Sequence, residues 1–370
     1  MDGRWVIRGG SVRRVTGRVA DRPGARAANA RRAWTERRGV RLQLVDADGR
    51  IGQGEASPLD GYSPDTVEQC ERALEAALAR LPVRVDSIPA ALAELGVDRA
   101  VPAARFAVET AVFDLVGQRT DEPLSQLLAR VDPIGGGAIA RDVPLAALVT
   151  GTSPADVLAG VRAAWNQGIR TVKLKIGRPR AFAAECELLA QLRAQFGFDL
   201  ALRLDANAAW NPDEAADRLA ALAPFAPEFV EQPVAPDRID QLRDPPVAIA
   251  ADESLHAAHT TAEDVFRSEA CHVAVLKPTV IGGLLACRRL ARLAAEHGVD
   301  TVVSHTFDGP IALAAAAELA LSLPETRAAG LAPHAGLGAW PRVRIPQLRP
   351  NRVVPHAGGG LGVPPVESGR

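Results

Sequence analysis

TVKLKIG, residues 171–177, sets Lys173 and Lys175 between Val172, Leu174 and Ile176. Side chains alternate across a strand, so both ammonium groups share one face and the aliphatic residues take the other. A strand inside a parallel sheet is covered on both faces, and two like charges there need carboxylates nearby. Outward from this stretch, short β-like runs alternate with helical ones from about residue 142. The runs are VPLAALV (143–149), TVKLKI, LALRLDA (200–206), EFVEQP (228–233), VAIAADES (247–254), HVAVLKP (272–278), DTVVSH (300–305) and AAGLAP (328–333). Amphipathic stretches such as PADVLAGVRAAWNQG (154–168) and LACRRLARLAAEHG (285–298) lie between them. Eight strands with intervening helices predict a closed (β/α) barrel with imperfect later units. A doubly wound open sheet is the competing topology, but no G-x-G-x-x-G opens a first helix.

Upstream the rhythm differs. The first forty residues read as an edge strand and a loop, with RPGARAANARR (22–32) arginine-rich and poorly periodic. GVRLQLVDADGRIGQGEAS (39–57) alternates on both sides of Asp48-Gly49, which predicts a hairpin. SPDTVEQCERALEAALARL (63–81) has a capped start and helical spacing, and a second helix covers about 101–118. Strands followed by helices predict an α+β unit. At 370 residues two domains are expected: 1–135 and a barrel over 136–339, with the Pro- and Gly-rich 340–370 packing back on the first.

Composition narrows the function classes. Apolar residues make up 47% and charged ones 24%, as in an ordinary soluble globular chain. A net charge of −1 leaves no electrostatic footprint for nucleic acid or an anionic membrane surface. No run of about 18 apolar residues predicts a membrane span. Arg13-Arg14 lacks the apolar region of an export signal. Cys70, Cys186, Cys271 and Cys287 are scattered, which fits reduced thiols in a cytoplasm. Nothing in the pattern reports an oligomeric state. Lysine is rare, so each one is worth locating: Lys173, Lys175 and Lys277.

Charged residues end successive strands of the expected barrel. Lys173 and Lys175 end the second, Asp205 the third, Glu231 the fourth, Asp252 the fifth and Lys277 the sixth. From Lys175 onward the spacings are 30, 26, 21 and 25 residues, one βα unit each. The C-terminal ends of barrel strands converge on one mouth, where active sites form. Three carboxylates without Cys or a nearby His are hard oxygen donors suited to Mg²⁺, with Mn²⁺ as a substitute. A lysine near a second cation loses its proton more easily, so Lys173 and a metal would make Lys175 a base. This suits removal of a proton α to a carboxylate, an arrangement already described for enolase-superfamily sites.

KLKIG, RLDANAAW, FVEQP, ADES and VLKPTVIGG, in this order, resemble the muconate-lactonizing-enzyme subgroup of the enolase superfamily. GQGEASPLDGYSPDT (52–66) and SHTFDGPIALAAAAELA (304–320) are most similar to its o-succinylbenzoate synthase family. The resemblance implies an N-terminal α+β capping domain over a (β/α)₇β modified TIM barrel. It implies Asp205, Glu231 and Asp252 as Mg²⁺ ligands and Lys175 and Lys277 as the facing acid/base pair, with Lys173 beside them. Gln232 departs from many members, which carry a second acid there, but it touches no ligand position. The implied reaction dehydrates 2-succinyl-6-hydroxy-2,4-cyclohexadiene-1-carboxylate in menaquinone biosynthesis. Lys175 would take the α-proton and protonate the departing hydroxyl, while Lys277 stays charged and stabilises the enediolate. The alternatives are an N-succinylamino acid racemase or dipeptide epimerase, and a catalytically silent barrel used as a binding module.

Other positions carry two readings. A lone K-x-K is usually the solvated face of an edge strand; the four other charged strand ends argue against that here. Asn207 either contacts the small-molecule carboxylate substrate or supports its loop. Ser304 and Gly309 either bind the substrate carboxylate, through a hydroxyl and a helix N-terminus, or pack a loop. Gly61, Tyr62 and Ser63 form a plain turn before a helix, or by resemblance line the substrate pocket. Between Asp252 and Glu253 alternation does not choose; the resemblance selects Asp252, with Glu253 behind it. His305 reads as loop structure, because Lys277 already holds the position of the opposing base. Gly282-Gly283 is a weak phosphate-turn signal, and Arg22, Arg26 and Arg32 read first as solvated arginines.

Overall fold

The computed structural model describes residues 4–20, 27–28, 32–178, 180–258, 260–324 and 327–365. The chain opens with β1 (Trp5–Arg18), β2 (Glu36–Asp46) and β3 (Ile51–Ala56), joined by β4 (Val83–Val85) in an antiparallel sheet of order β3-β2-β1-β4. The expected hairpin is β2–β3, and Gly49 takes the left-handed backbone (φ +84°) its turn requires. β1 is the expected edge strand over most of its length: from Gly9 to Arg18 only β2 pairs with it, whereas Trp5 to Ile7 pair with β4. A three-residue partner leaves too little sequence pattern to be read.

Helices α1 (Val67–Leu78), α2 (Ile88–Leu95), α3 (Pro102–Thr120) and α4 (Leu124–Val131) follow. Thr66 and Gln69 form a reciprocal capping box at the start of α1, whose Val67, Cys70, Leu74 and Ala77 make one buried stripe. α3 is buried almost all round, because it lies between the sheet and the barrel.

The barrel runs β5 (Val143–Pro144), β6 (Ala146–Val149), α5 (Pro154–Asn166), β7 (Thr171–Lys175), α6 (Phe182–Phe196), β8 (Ala201–Asp205), α7 (Pro212–Leu222) and β9 (Phe229–Glu231). It continues with β10 (Ile249–Ala251), α8 (Ala262–Arg267), β11 (Val273–Leu276), α9 (Pro278–Ile281), α10 (Leu284–Glu296), β12 (Asp300–Val303) and α11 (Pro310–Leu321). Strands β6 to β12 are parallel and hydrogen-bonded in chain order. Among the described residues the ring closes through two: Ala329 bridges Leu145 and Gly330 bridges Ser304. That is the eighth strand, so the architecture is (β/α)₇β, with a 3₁₀ turn (Pro236–Gln241) replacing a helix between β9 and β10. Phe229, Ala250, Val273, Val275 and Val302 fill the barrel interior. Val172, Leu174, Leu202 and Leu204, on the other face of their strands, pack under the helices.

α11 has every residue buried and four consecutive alanines, Ala314 to Ala317, which let α3, α4, β3 and β12 approach it closely. An apolar helix without a wet face belongs inside, and this one joins the two parts of the molecule. The chain end returns to the N-terminal part: Leu361 N–H donates to Asp114 (2.9 Å) and Gln53 donates to Val363 O (2.8 Å). It also adds β13 (Arg352–Val353) to β5. Among the described residues no helix is long and apolar enough to cross a membrane.

Candidate active site at the barrel mouth

β-Sheet register builds the site. Lys175 lies opposite Asp205, and Asp205 opposite Glu231, so three neighbouring strands place their last residues in one row. Lys173 Nζ donates to both oxygens of Glu231 (2.8 and 2.9 Å) and pairs with Asp205 Oδ2 (2.9 Å). Lys175 Nζ donates to Asp205 Oδ2 (2.5 Å) and Asn207 Oδ1 (3.0 Å). Across the barrel, Lys277 contacts Asp252 Oδ2 and stands 3.9 Å from Glu231 Oε1. No lysine side chain of the three is more than 14% exposed. The two ammonium groups of the K-x-K strand are thus held by the carboxylates of β8 and β9.

Burial and charge act differently on the three lysines. Burial, aided by Lys173, outweighs Asp205 and pushes Lys175 below the usual lysine range. Burial also opposes the charge on Lys173 and Lys277, but the facing carboxylates win and hold both above it. Asp205 and Asp252 resist burial because the lysines hold their carboxyls low. Glu231 is pushed up to about 7, first by burial and then by Asp205. Glu253 is pushed up to about 8, by burial and Asp252.

The N-terminal part closes the mouth. Tyr62 O–H donates to Asp252 Oδ2 and accepts from Lys277, each at 2.9 Å. The cavity beneath is lined by the three lysines, Asn207, Glu231, Ser304 and His305 on its polar side. Trp34, Leu59, Leu148, Val275, Val302 and Phe307 form its apolar walls. Asn207 holds a left-handed backbone (φ +46°) and links Lys175 to Glu253, to which its Nδ2 donates (3.3 Å).

Two expected substrate contacts do something else. Ser63 Oγ accepts from Leu59 N–H (2.8 Å) and tightens the loop. Gly309 does open a helix N-terminus, but the carboxylate there is Glu55, which accepts from Ile311 N–H (3.4 Å) and from Gly309. A Cβ on Gly309 would stand 2.4 Å from both Glu55 oxygens. The Gly282-Gly283 turn is filled likewise: Glu109 accepts from Leu284 N–H (2.7 Å) and Leu285 N–H (3.0 Å). Arg32 is exposed and donates to Asp60 O (2.7 Å), whereas Arg22 and Arg26 lie outside the described residues. Contrary to expectation Gln232 does touch a ligand position, through the backbone: its Oε1 accepts from Asp252 N–H (3.1 Å) and Ser254 N–H (3.0 Å) and pins the fifth strand's end.

Residues 156–368 match the enolase C-terminal domain-like family, and residues 13–129 the mandelate racemase/muconate lactonizing enzyme N-terminal domain. The chain belongs to the enolase superfamily. It is 32% identical to an L-Lys-D/L-Arg epimerase of Methylococcus capsulatus, over 77% of this chain and 80% of that one. It is 29% identical to an o-succinylbenzoate synthase of Desulfotalea psychrophila, over 78% and 84% respectively. A crystal structure of a dipeptide epimerase from M. capsulatus, complexed with Mg and the dipeptide L-Arg-D-Lys, superposes with a TM-score of 0.80. That likeness covers 96% of this chain and 99% of the other at 27% identity.

The residues present fit such a cation. Four carboxylates, Asp205, Glu231, Asp252 and Glu253, meet three ammonium groups. Burial, and after it the neighbouring carboxylates Asp205 and Asp252, raise Glu231 and Glu253. Asp252 Oδ1 and Glu253 Oε2 are buried without a hydrogen-bond partner. The donors are all hard oxygens. Among the described residues no three acids form a metal cage; lysines pair with the oxygens of Asp205 and Asp252. Sequence reasoning placed His305 in a loop, where its Nδ1 does accept from Phe307 N–H, but missed the apolar wall. Trp34 and Phe307 lie far apart in the chain, and only the fold brings their rings to 5.9 Å.

Proposed function

We propose that this superfamily member is an Mg²⁺-dependent dehydratase acting as an o-succinylbenzoate synthase. In this reading Asp205, Glu231 and Asp252 hold the metal, and the capping unit spans about 1–135 over a catalytic barrel at 136–339. When bound, the metal supplies positive charge that acidifies the carbon next to the substrate carboxylate. Lys175, pushed toward its neutral form by burial, takes the α-proton; the same ammonium group then protonates the departing hydroxyl. Lys277, held cationic by Asp252 and oriented by Tyr62, stabilises the developing negative charge. Lys173 stays charged against Glu231 and Asp205 and keeps Lys175 poised.

The observation that carries this choice is the composition of the cavity lining. Among the described residues three lysines, Arg203 and apolar walls surround Glu231, the one acid of the lining, which Lys173 already engages. Among the described lining residues a substrate ammonium group, as in a free dipeptide, therefore meets no carboxylate that a lysine does not already engage, whereas an acid with an uncharged ring and an oxygen-bearing arm is matched. An N-succinylamino acid racemase is the second reading, because Lys175 and Lys277 come from opposite sides of the carboxylate row and an acylated amine is uncharged. Incubation in D₂O with a free dipeptide, an N-succinyl amino acid and the cyclohexadiene acid separates these. The reading expects dehydration to be fastest and the dipeptide inert; deuterium uptake by the dipeptide at a comparable rate would reject it.

A further inference from the structure

His305 follows β12 and is buried at the cavity wall, with 9% of its surface exposed. Its Nδ1 accepts a hydrogen bond from Phe307 N–H at 3.0 Å. A neutral imidazole carries one N–H, so an accepting Nδ1 places the proton on Nε2. Protonating the ring would turn Nδ1–H against the Phe307 N–H. The ring also packs, tilted, on His334 with centroids 3.9 Å apart and against Phe307 at 5.6 Å. The ionisable groups facing it are His334, Lys173, Lys277 and Lys175, and burial with these neighbours keeps it well below the usual histidine range. Both nitrogens of His334 are buried without a partner, so that ring supports the stack and offers no relay. Nε2 is thus an uncharged donor at the wall of a cavity rich in positive charge.

We propose that His305 is a substrate-binding residue whose Nε2–H donates to an oxygen of the substrate's succinyl arm. The reacting carboxylate belongs beside Lys175, Lys277 and the acids of β8, β9 and Asp252. His305 opens from the seventh strand, next to Phe307 and Trp34, and so meets the part of the molecule beyond that carboxylate. A neutral donor there recognises an oxygen without adding charge to the lysines. The inference rests on the succinyl-bearing acid of the proposed function.

The test uses the full chain loaded with Mg²⁺, its His305→Phe and His305→Asn variants, and calorimetric binding of o-succinylbenzoate and of benzoate, which has no arm. Phenylalanine keeps the stack and loses the donor; asparagine loses the stack and keeps both an acceptor for Phe307 and a donor. His305→Phe is expected to weaken o-succinylbenzoate by roughly tenfold, leaving benzoate unchanged. His305→Asn is expected to stay within about threefold of the parent. In turnover the loss falls on KM more than on kcat, and the acid limb of the pH profile is the same in parent and His305→Asn. Equal losses for both ligands, parental binding by His305→Phe, or an acid limb that moves in His305→Asn would each overturn the proposal. If the parent racemises N-succinyl amino acids and ignores the dehydration substrate, the functional reading fails by itself. The same variants are then compared on N-succinyl and N-formyl forms of one amino acid. A parent that binds neither succinyl compound overturns both.

Discussion

Of the 43 lysines and arginines in this chain, three are lysines, and all three line one cavity. A guanidinium does not release its proton near neutral pH, whereas a buried ammonium group does, so the proton-transfer positions exclude arginine. Lys175→Arg and Lys277→Ala are each expected to keep the circular-dichroism spectrum and lose about 10²–10⁴ in kcat; turnover within fivefold of the parent would contradict the roles given. Tyr62→Phe removes one hydroxyl joining Lys277 to Asp252. It is expected to lower kcat/KM by about tenfold, with a small change in melting temperature. The acids and lysines were legible in sequence because alternation within a strand and one βα unit between strands fix where each side chain points. Gly309 and Ser63 were not. The carboxylate that fills the helix N-terminus at Gly309 is Glu55, from the other end of the chain, and no local pattern announces it.

Two barrel helices receive their N-terminal carboxylates from the N-terminal part: Glu109 at α10 and Glu55 at α11. A return contact runs from α11, where Glu318 accepts from Ser125 N–H at the start of α4 (2.8 Å). Gly283 permits the first of these. It has φ +123°, and a Cβ there would stand 1.8 Å from Glu109 Oε2. Gly283→Ala is expected to destabilise by about 2–3 kcal/mol in urea unfolding. Burial raises Glu109 to about 7 from a usual 4.5. A carboxyl raised on folding contributes stability that is full below about 4.5 and is lost as pH climbs through 7. Relative to Glu109→Gln, the parent is therefore expected to lose up to about 3 kcal/mol between pH 5 and pH 8. Parallel urea midpoints across that range would contradict this. Helix α1 was readable from its cap and spacing, and α3, α5 and α10 from their apolar spacing. α2 and α4 are eight residues each, too short for two turns of pattern to stand out.

At the scale of the molecule, the cap is bound to the barrel by buried polar groups as well as by the apolar α11. Arg37, on β2, donates to Phe307 O (3.0 Å) on the barrel side and to Pro58 O (2.9 Å) and Ser57 O (2.6 Å) on the cap side. Burial pushes it down to about 10, yet it remains charged near neutrality. Arg37→Ala orphans these carbonyls and is expected to cost about 3 kcal/mol or more. The barrel order was legible because each strand carries its own signal; the two-residue eighth strand was visible only as AAGLAP. Chelation of divalent cations is expected to leave the fold and remove turnover. Mg²⁺ restored at a hundredfold excess over its Kd should stabilise by about 2.7 kcal/mol. The central claim is that Lys175 removes a proton α to a carboxylate inside a metal-charged barrel and expels a hydroxyl. Its most direct test is the rate at which Mg²⁺-loaded protein converts 2-succinyl-6-hydroxy-2,4-cyclohexadiene-1-carboxylate to o-succinylbenzoate, measured beside Lys175→Ala. Rapid conversion by the parent and none above background by the variant is the predicted result; equal rates, or no conversion by the parent, would contradict it.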